Sequence, residues 1–517
     1  MSVTRTPSTL YRNGQIYSPA YPRATALLVE DGRIAWLGSD DDRPDATETV
    51  DLDGALLTPA FVDAHVHATE TGISLRCADL SAATSVADAL DRVAAYAATL
   101  PPDATLLGHG WDDSGWPDQR PPTADELDRA AGGRQAYLSR IDVHSAVCSH
   151  PLLAGVPGLA EREGYGADGF VRVAAHHAVR DAAYRSISTA QRADAQRAAL
   201  ARVAAAGIAA IHECGGKGTS SETDFTGLLA LPRTEPLPEV YGYWGELGAA
   251  AKARELGAVG AGGDLYADGA LGSQTACLGT PYAGTDNLGH AYLDAQQVTE
   301  HVVDCVSHGM QSGFHAIGDA ALGQVVRGYT AAAEKVGLER LRAGRHRVEH
   351  VELITREQIR GFVECGLHAS MQPAFDRLWG GEHGMYAQRL GVERSLASNP
   401  FGALAGVGVP LALGSDSPVT PIDPWGTVRA ATAHHSPAQR IGVKAAFAAH
   451  TRGGWRAVHR DDEGVLVPGG PATFAVWTHQ GELAGGLPAL RDGHPLPECT
   501  RTVLRGVTIY QQKDTAT

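Results

Sequence analysis

Cysteine is scarce and poorly placed for cross-linking. The 7 cysteines of this 517-residue chain are scattered without a C-x-x-C spacing, which argues against a disulfide framework and against a thiolate zinc site. Free and mostly buried thiols are expected. Lysine is scarcer still: of 43 basic residues only Lys217, Lys252, Lys335, Lys444 and Lys513 are lysine. No uninterrupted apolar run approaches the ~18 residues of a membrane span, and residues 1–9 are polar with no apolar stretch behind them. Neither a bilayer nor a secretory leader is expected, which points to a soluble cytoplasmic protein. Positive charge is also in deficit, the net charge being −16, and acidic chains repel phosphate backbones. Nucleic acid is therefore not the expected partner.

What is present is ordinary globular composition. Hydrophobic residues make up 44% and charged residues 20%, with glycine and proline spread along the chain, which excludes collagen, coiled coil and disorder. A chain of this length is expected to bury a large core in roughly two to four domains. The N-terminal stretch alternates apolar and polar residues around turn dipeptides, Asn13-Gly14 within 10–17 and Asp31-Gly32 within 27–37, the pattern of β-hairpins. A similar texture returns in 464–477 and 501–510. One small β-sandwich built from both termini, residues 1–55 and 456–517, follows, because each piece then covers edges the other leaves open.

Between them lie eight short apolar runs, at 56–67, 207–214, 239–244, 264–268, 309–315, 346–350, 367–372 and 409–416. Each suits a buried parallel strand, and most are followed by a helical pattern. Eight strand-plus-helix units predict a (β/α)8 TIM barrel. Its first strand falls in 56–78 and the remainder in 185–455. The second run begins 140 positions after the first ends, far more than a single crossover needs. An inserted subdomain at 79–184 is expected there, on the loop side of the barrel where it would shape or cover the active-site mouth.

The strongest local signal is Asp63-Ala64-His65-Val66-His67, which closes an apolar run. On a strand, side chains at i and i+2 point the same way, so His65 and His67 can converge on one ion. Three more strand ends repeat the theme: His315, His350 and Asp416 each close an apolar run. Imidazole nitrogens and a carboxylate are suitable ligands for Zn²⁺ or a similar divalent ion, and all would lie at the C-terminal mouth of the barrel.

With these residues the sequence resembles the amidohydrolase superfamily of metal-dependent hydrolases, specifically the amidohydrolase-3 branch that includes N-substituted formamide deformylase-like and exoenzyme-regulator-like proteins. The matching stretches are Thr58 to His67, Asp268 to Ala276, His315-Ala316-Ile317-Gly318-Asp319, Val348-Glu349-His350 and Gly414-Ser415-Asp416-Ser417-Pro418. The resemblance implies that His65, His67, His315, His350 and Asp416 surround metal. His350 either ligates a second ion or holds the attacking water, and Asp416 carries the proton from water to leaving group. Many relatives place a lysine, whose carbamylated amine bridges two metals, four positions before the Asp-Gly pair; here that position is Asp264. Either Asp264 supplies a carboxylate ligand itself or the site holds a single ion, and the shorter side chain favours one Zn²⁺ over two.

Trp111, His144 and Gln372 are expected to line a pocket for an organic small-molecule substrate. The reaction implied is hydrolysis of a C–N bond in an N-substituted formamide, N-acyl compound or cyclic amide. Deamination of a cyclic amidine or nucleobase is the alternative within the enzyme class, and a non-catalytic ligand-binding barrel the alternative outside it. Assembly as a homodimer is left open.

Overall fold

The computed structural model describes residues 7–101, 104–217 and 219–513. Residues 1–6 and 514–517 of the expected terminal segments, and with them most of the polar N-terminal stretch, lie outside that set. Eight parallel strands form one sheet whose neighbours follow chain order. They are β1 (Phe61–Val66), β2 (Ile208–Gly216), β3 (Glu239–Gly245), β4 (Gly260–Ala261), β5 (Gln311–Ala316), β6 (Arg347–His350), β7 (His368–Met371) and β8 (Leu411–Leu413). Helices between them cover the outer face, so strands such as β2 are buried along their whole length and run apolar rather than alternating. The sheet curls until its ends meet. Ser417 bridges Val66, and the Asp416 N–H donates to the His65 carbonyl at 2.8 Å. Asp63 fastens the same seam, its Oδ1 accepting from the Ser415 N–H at 2.8 Å. This is the expected (β/α)8 barrel.

Two strand positions differ from the expectation. The run 56–67 is two strands: Leu56–Pro59 pairs antiparallel with Phe474–Thr478 in another sheet, and the chain enters the barrel only at Phe61. Every residue from 56 to 66 is buried, so no polar residue marks the change of sheet. The fourth strand is Gly260–Ala261, not 264–268. Gly262 and Gly263, at φ +155° and +72°, bend the chain off the sheet. A Cβ on Gly262 would lie 2.3 Å from the Gly313 nitrogen, so only glycine passes this close to the neighbouring strand. The following segment rejoins through a single bridge, Tyr266 to His315, which leaves Asp264 over the barrel mouth.

Both termini build a pair of stacked sheets. One holds Ser8–Arg12, Ala26–Glu30, Arg33–Gly38 and Glu48–Asp51; the other joins Gln15–Ile16 and Leu56–Pro59 to Phe474–Thr478, Glu498–Leu504 and Val507–Gln511. Tyr11, Ile34, Leu57, Phe474 and Val503 share one core between them, with Tyr11 meeting Phe474 edge-on at 4.9 Å. Between β1 and β2 lies a separate five-stranded sheet, running from Ala78–Asp79 to Phe170–Arg172, with its own core around Leu80, Val93, Trp111 and Val147. It meets the barrel at the C-terminal ends of the strands. The His109 Nε2–H donates to the Pro418 carbonyl at 3.0 Å, the Ser273 hydroxyl to Asp142 at 3.1 Å, and Arg180 pairs with Glu70 in the helix after β1.

Phe474→Ala should cost ~3–5 kcal/mol, because it empties the centre of the core shared by the two sheets; denaturant unfolding reads the loss. At the opposite end of the barrel, burial pushes the His346 and His368 imidazoles down to about 3. A ring neutral in the folded state takes up a proton on unfolding below its ordinary value of ~6.5, so stability is lost as pH falls from there, by about 1.4 kcal/mol per unit and ring. The stability difference between wild type and His346→Gln should therefore shrink between pH 7 and pH 5, measured by urea titration at both. A constant difference would contradict the neutral assignment.

Candidate metal centre at the barrel mouth

The alternation of β1 turns His65 and His67 into the barrel, and Asp264 arrives opposite them. Asp264 Oδ2 lies 3.1 Å from His67 Nε2, and its Oδ1 lies 3.4 Å from His65 Nε2, 3.5 Å from His315 Nδ1 and 3.8 Å from His350 Nε2. Asp416 Oδ1 is 3.2 Å from His67 Nε2 and 3.4 Å from His65 Nε2. All six residues predicted to surround metal thus meet at one place, and all six are buried. Strand parity alone would have sent His350 away from the interior, since Arg347 and Glu349 on the same strand already point inward. A left-handed backbone at His350 and Val351, φ +69° and +54°, swings the ring into the mouth.

The donor set fits a divalent metal. His65 Nε2, Asp264 Oδ1, His315 Nδ1, His350 Nε2 and Asp416 Oδ1 are buried without a hydrogen-bond partner, a costly arrangement for apolar packing to tolerate. Imidazole nitrogen and carboxylate oxygen are the ligands that Zn²⁺ and related ions take. The atoms form compact triads, among them His65–His67–Asp264 and Asp264–His315–His350, which share Asp264, and His65–His350–Asp416, which draws one histidine from each.

Three of the four imidazoles, those of His65, His315 and His350, are aimed by what their other nitrogen does. The His65 Nδ1–H donates to Glu349 Oε2 at 2.9 Å, which turns Nε2 to the cluster. The His350 Nδ1–H donates to Gln372 Oε1 at 2.9 Å. His315 is reversed: its Nε2–H donates to the Gly269 carbonyl at 3.2 Å, so Nδ1 faces Asp264. Glu349 is in turn gripped by Arg347 through two bonds of 2.6 and 2.7 Å. Burial alone would raise the Asp264 and Asp416 carboxyls, but the neighbouring imidazoles, His65 foremost, outweigh it and hold both below the ordinary range. Both are therefore ionised at neutral pH, the form that binds a cation. Burial also opposes ionisation of Glu349, and Arg347 overrides it.

A cavity opens beside the cluster, and His144 lines it with His315, His350 and Asp416. Burial, reinforced by His315, pushes the His144 ring down to about 4, so it is neutral. Two of the expected pocket residues sit elsewhere. Trp111 is fully buried in the core of the inserted sheet, its indole N–H donating to the Leu138 carbonyl at 2.8 Å. By alternation it would share the face of His109, but the strand register shifts at Gly110, φ +94°, and Trp111 turns into that core. Gln372 is not on the cavity wall; its side-chain oxygen is spent on His350. Glu349, Arg347 and Tyr266 were not singled out from the sequence. The Tyr266 hydroxyl donates to Asp264 Oδ2 at 3.3 Å. The acid and base of the Arg-x-Glu at 347–349, alternating on one face of an apolar strand, were a signal that a buried ion pair lay there.

Similarity to known proteins gives the family and agrees with the fold. Residues 48–510 match the family described as "Amidohydrolase family". The chain is 26% identical to the putative amidohydrolase YtcJ of Bacillus subtilis, over 95% of this chain and 96% of that protein. It is also 26% identical to protein LONG AFTER FAR-RED 3 of Arabidopsis thaliana, over 90% of this chain and 86% of the relative. Among solved structures, an uncharacterized metal-dependent hydrolase from Pyrococcus horikoshii superposes with a TM-score of 0.73, at 23% identity over 95% of this chain and 100% of the other. The class is that of barrel hydrolases with a His/Asp cluster able to hold divalent metal. The chain belongs to the amidohydrolase family.

Removing one partner of the buried pair leaves the other charge stranded, so Arg347→Ala should cost ~3–5 kcal/mol, visible as a lowered Tm. Glu349→Gln keeps the shape and should weaken metal binding about 10–100-fold by loosening His65, measured by competition with a chromogenic chelator. Unchanged affinity would show that His65 is held by packing alone.

Proposed function

We propose that the protein is a metal-dependent hydrolase that cleaves a carbon–nitrogen bond in an amide-like small molecule, of the N-acyl, N-substituted formamide or cyclic amide kind. The observation that carries this reading is the Asp264 carboxylate shared between two histidine groups, with ionised Asp416 within reach of His65 and His67 in one and His350 in the other. His65, His67 and Asp264 would hold one ion, and His315, His350 and Asp264 a second. Two ions are thus preferred over the single ion that the absent lysine suggested, because the loop after β4 carries Asp264 far enough over the mouth to reach both histidine groups. Divalent ions so held supply Lewis acidity that polarises an amide carbonyl and acidifies water.

The chain's own residues do the rest. Asp416 accepts the proton from the attacking water and returns it to the departing nitrogen, a single group serving as base and then acid. His144, neutral and on the cavity wall, donates a hydrogen bond to the carbonyl oxygen as charge builds on it. Gln372 fixes the His350 ring through Nδ1, and Gly269 fixes His315 through Nε2, so neither has to reorganise during turnover.

Chelation should abolish hydrolysis of N-formyl and N-acyl amides, and added Zn²⁺ or Mn²⁺ should restore it. Elemental analysis is expected to give two equivalents of metal per chain and a lower content in Asp264→Ala; one equivalent in both proteins would remove the shared carboxylate. Asp416→Asn should lower kcat by about 10²–10⁴-fold, and full turnover by that variant would eliminate Asp416 as the proton carrier. Ammonia release from heterocycles, without amine or acid release from amides, would assign deamination instead.

A further inference from the structure

The cavity beside the cluster is unevenly built. Leu271, Phe375, Trp379, Met385 and Val419 make most of its wall apolar. Among the described residues no lysine or arginine lines it. Two carboxylates outside the metal cluster do, Asp142 and Glu352, and they differ. Asp142 is already committed: Arg140 donates to its Oδ2 at 2.9 Å and the Ser273 hydroxyl at 3.1 Å. Glu352 is 2% exposed, and its Oε2 has no partner. Behind it lies the wholly buried Asn399, whose side chain adjoins the Glu352 carboxyl and whose backbone N–H donates to the Glu352 carbonyl at 2.8 Å. The Tyr386 hydroxyl abuts the same carboxyl. A buried acceptor without a donor costs stability unless something completes it, and Glu352 is among the residues that line the cavity in which the substrate is to sit.

We infer that Glu352 is the specificity-determining residue of this cavity: its free oxygen accepts a hydrogen bond from a nitrogen-borne donor at the non-reacting end of an otherwise aromatic or alkyl amide. The inference rests on the hydrolase reading above and deepens it by naming the substrate class. Asn399 and Tyr386 act through Glu352 as positioning residues. A substrate ending in carboxylate or phosphate meets an acidic wall with no cation to receive it, and one ending in a methyl group leaves the Glu352 oxygen unpaired. A site built to satisfy such a group discriminates strongly against a ligand that lacks the donor.

The test uses metal-loaded full-length protein and three N-formylbenzylamines that differ in the para substituent: aminomethyl, its isostere ethyl, and carboxymethyl. Wild type should prefer aminomethyl over ethyl by about 10-fold or more in kcat/KM and should use carboxymethyl least. Glu352→Leu should collapse the aminomethyl-to-ethyl ratio to about one or below, and Glu352→Gln, which retains an acceptor, should fall between. Metal content and Tm of each variant separate loss of recognition from loss of fold, and because the readout is a ratio within one protein, a general loss of activity leaves it intact. Should wild type turn over none of the three, the hydrolase reading fails for this class, and calorimetric Kd values for the same compounds report on Glu352 separately. A ratio unchanged by Glu352→Leu, in kcat/KM or in Kd, overturns the inference, as does a wild-type preference for the carboxymethyl compound.

Discussion

A guanidinium sealed inside the barrel is the constraint around which the site is arranged. Arg347 is fully buried and donates to Glu349, to His212 Nδ1 at 2.8 Å, to the Ala64 carbonyl at 2.6 Å and to the Ser370 hydroxyl at 2.8 Å, with the Tyr243 ring 4.5 Å from its central carbon. A charge out of water persists only when its donors are matched in this way. These partners come from β1, β2, β3, β6 and β7, so one side chain ties five strands together just beneath the mouth. Its carboxylate partner then turns His65. Stability of the barrel interior and orientation of a metal-facing imidazole are therefore the same set of bonds seen from two ends.

The mouth is assembled by departures from regular strand geometry. β4 stops after two residues so that Asp264 can leave the wall, β6 ends in a left-handed turn that redirects His350, and β8 ends at Leu413 so that Asp416, itself at φ +57°, can fold back and close the seam against β1. Regular strands would present alternate residues to a packed interior. The irregular ends convert that interior into a cup lined by imidazole and carboxylate.

The features most legible in the sequence were those that depend on period and chemistry alone. The His65–His67 pair needs only the two-residue repeat of a strand, and the apolar runs closing on His315, His350 and Asp416 need only the count of strands. What stayed hidden depends on three-dimensional accident. The junction at Ala60 is invisible because both sheets bury their residues completely. The displacement of Asp264 from a strand to a loop turns on Gly262 and Gly263, whose close approach to β5 has no local signature. Trp111 looked like a pocket aromatic because an aromatic ring suits an organic substrate, yet the shift of register at Gly110 turns it into the core of the inserted sheet. Glu352 gave no sign at all, since a glutamate just beyond a strand is ordinarily solvated.

The strand that leads directly into β1 is paired to one near the far end of the chain. Leu56–Pro59 lies between Gln15–Ile16 and Phe474–Thr478, so during synthesis one of its edges has no native neighbour until more than four-fifths of the polypeptide has left the ribosome. Pairing over such a sequence separation is slow, and an apolar edge that waits is open to association with other nascent chains. The histidines of β1 follow only a few residues later, and their final placement inherits that delay.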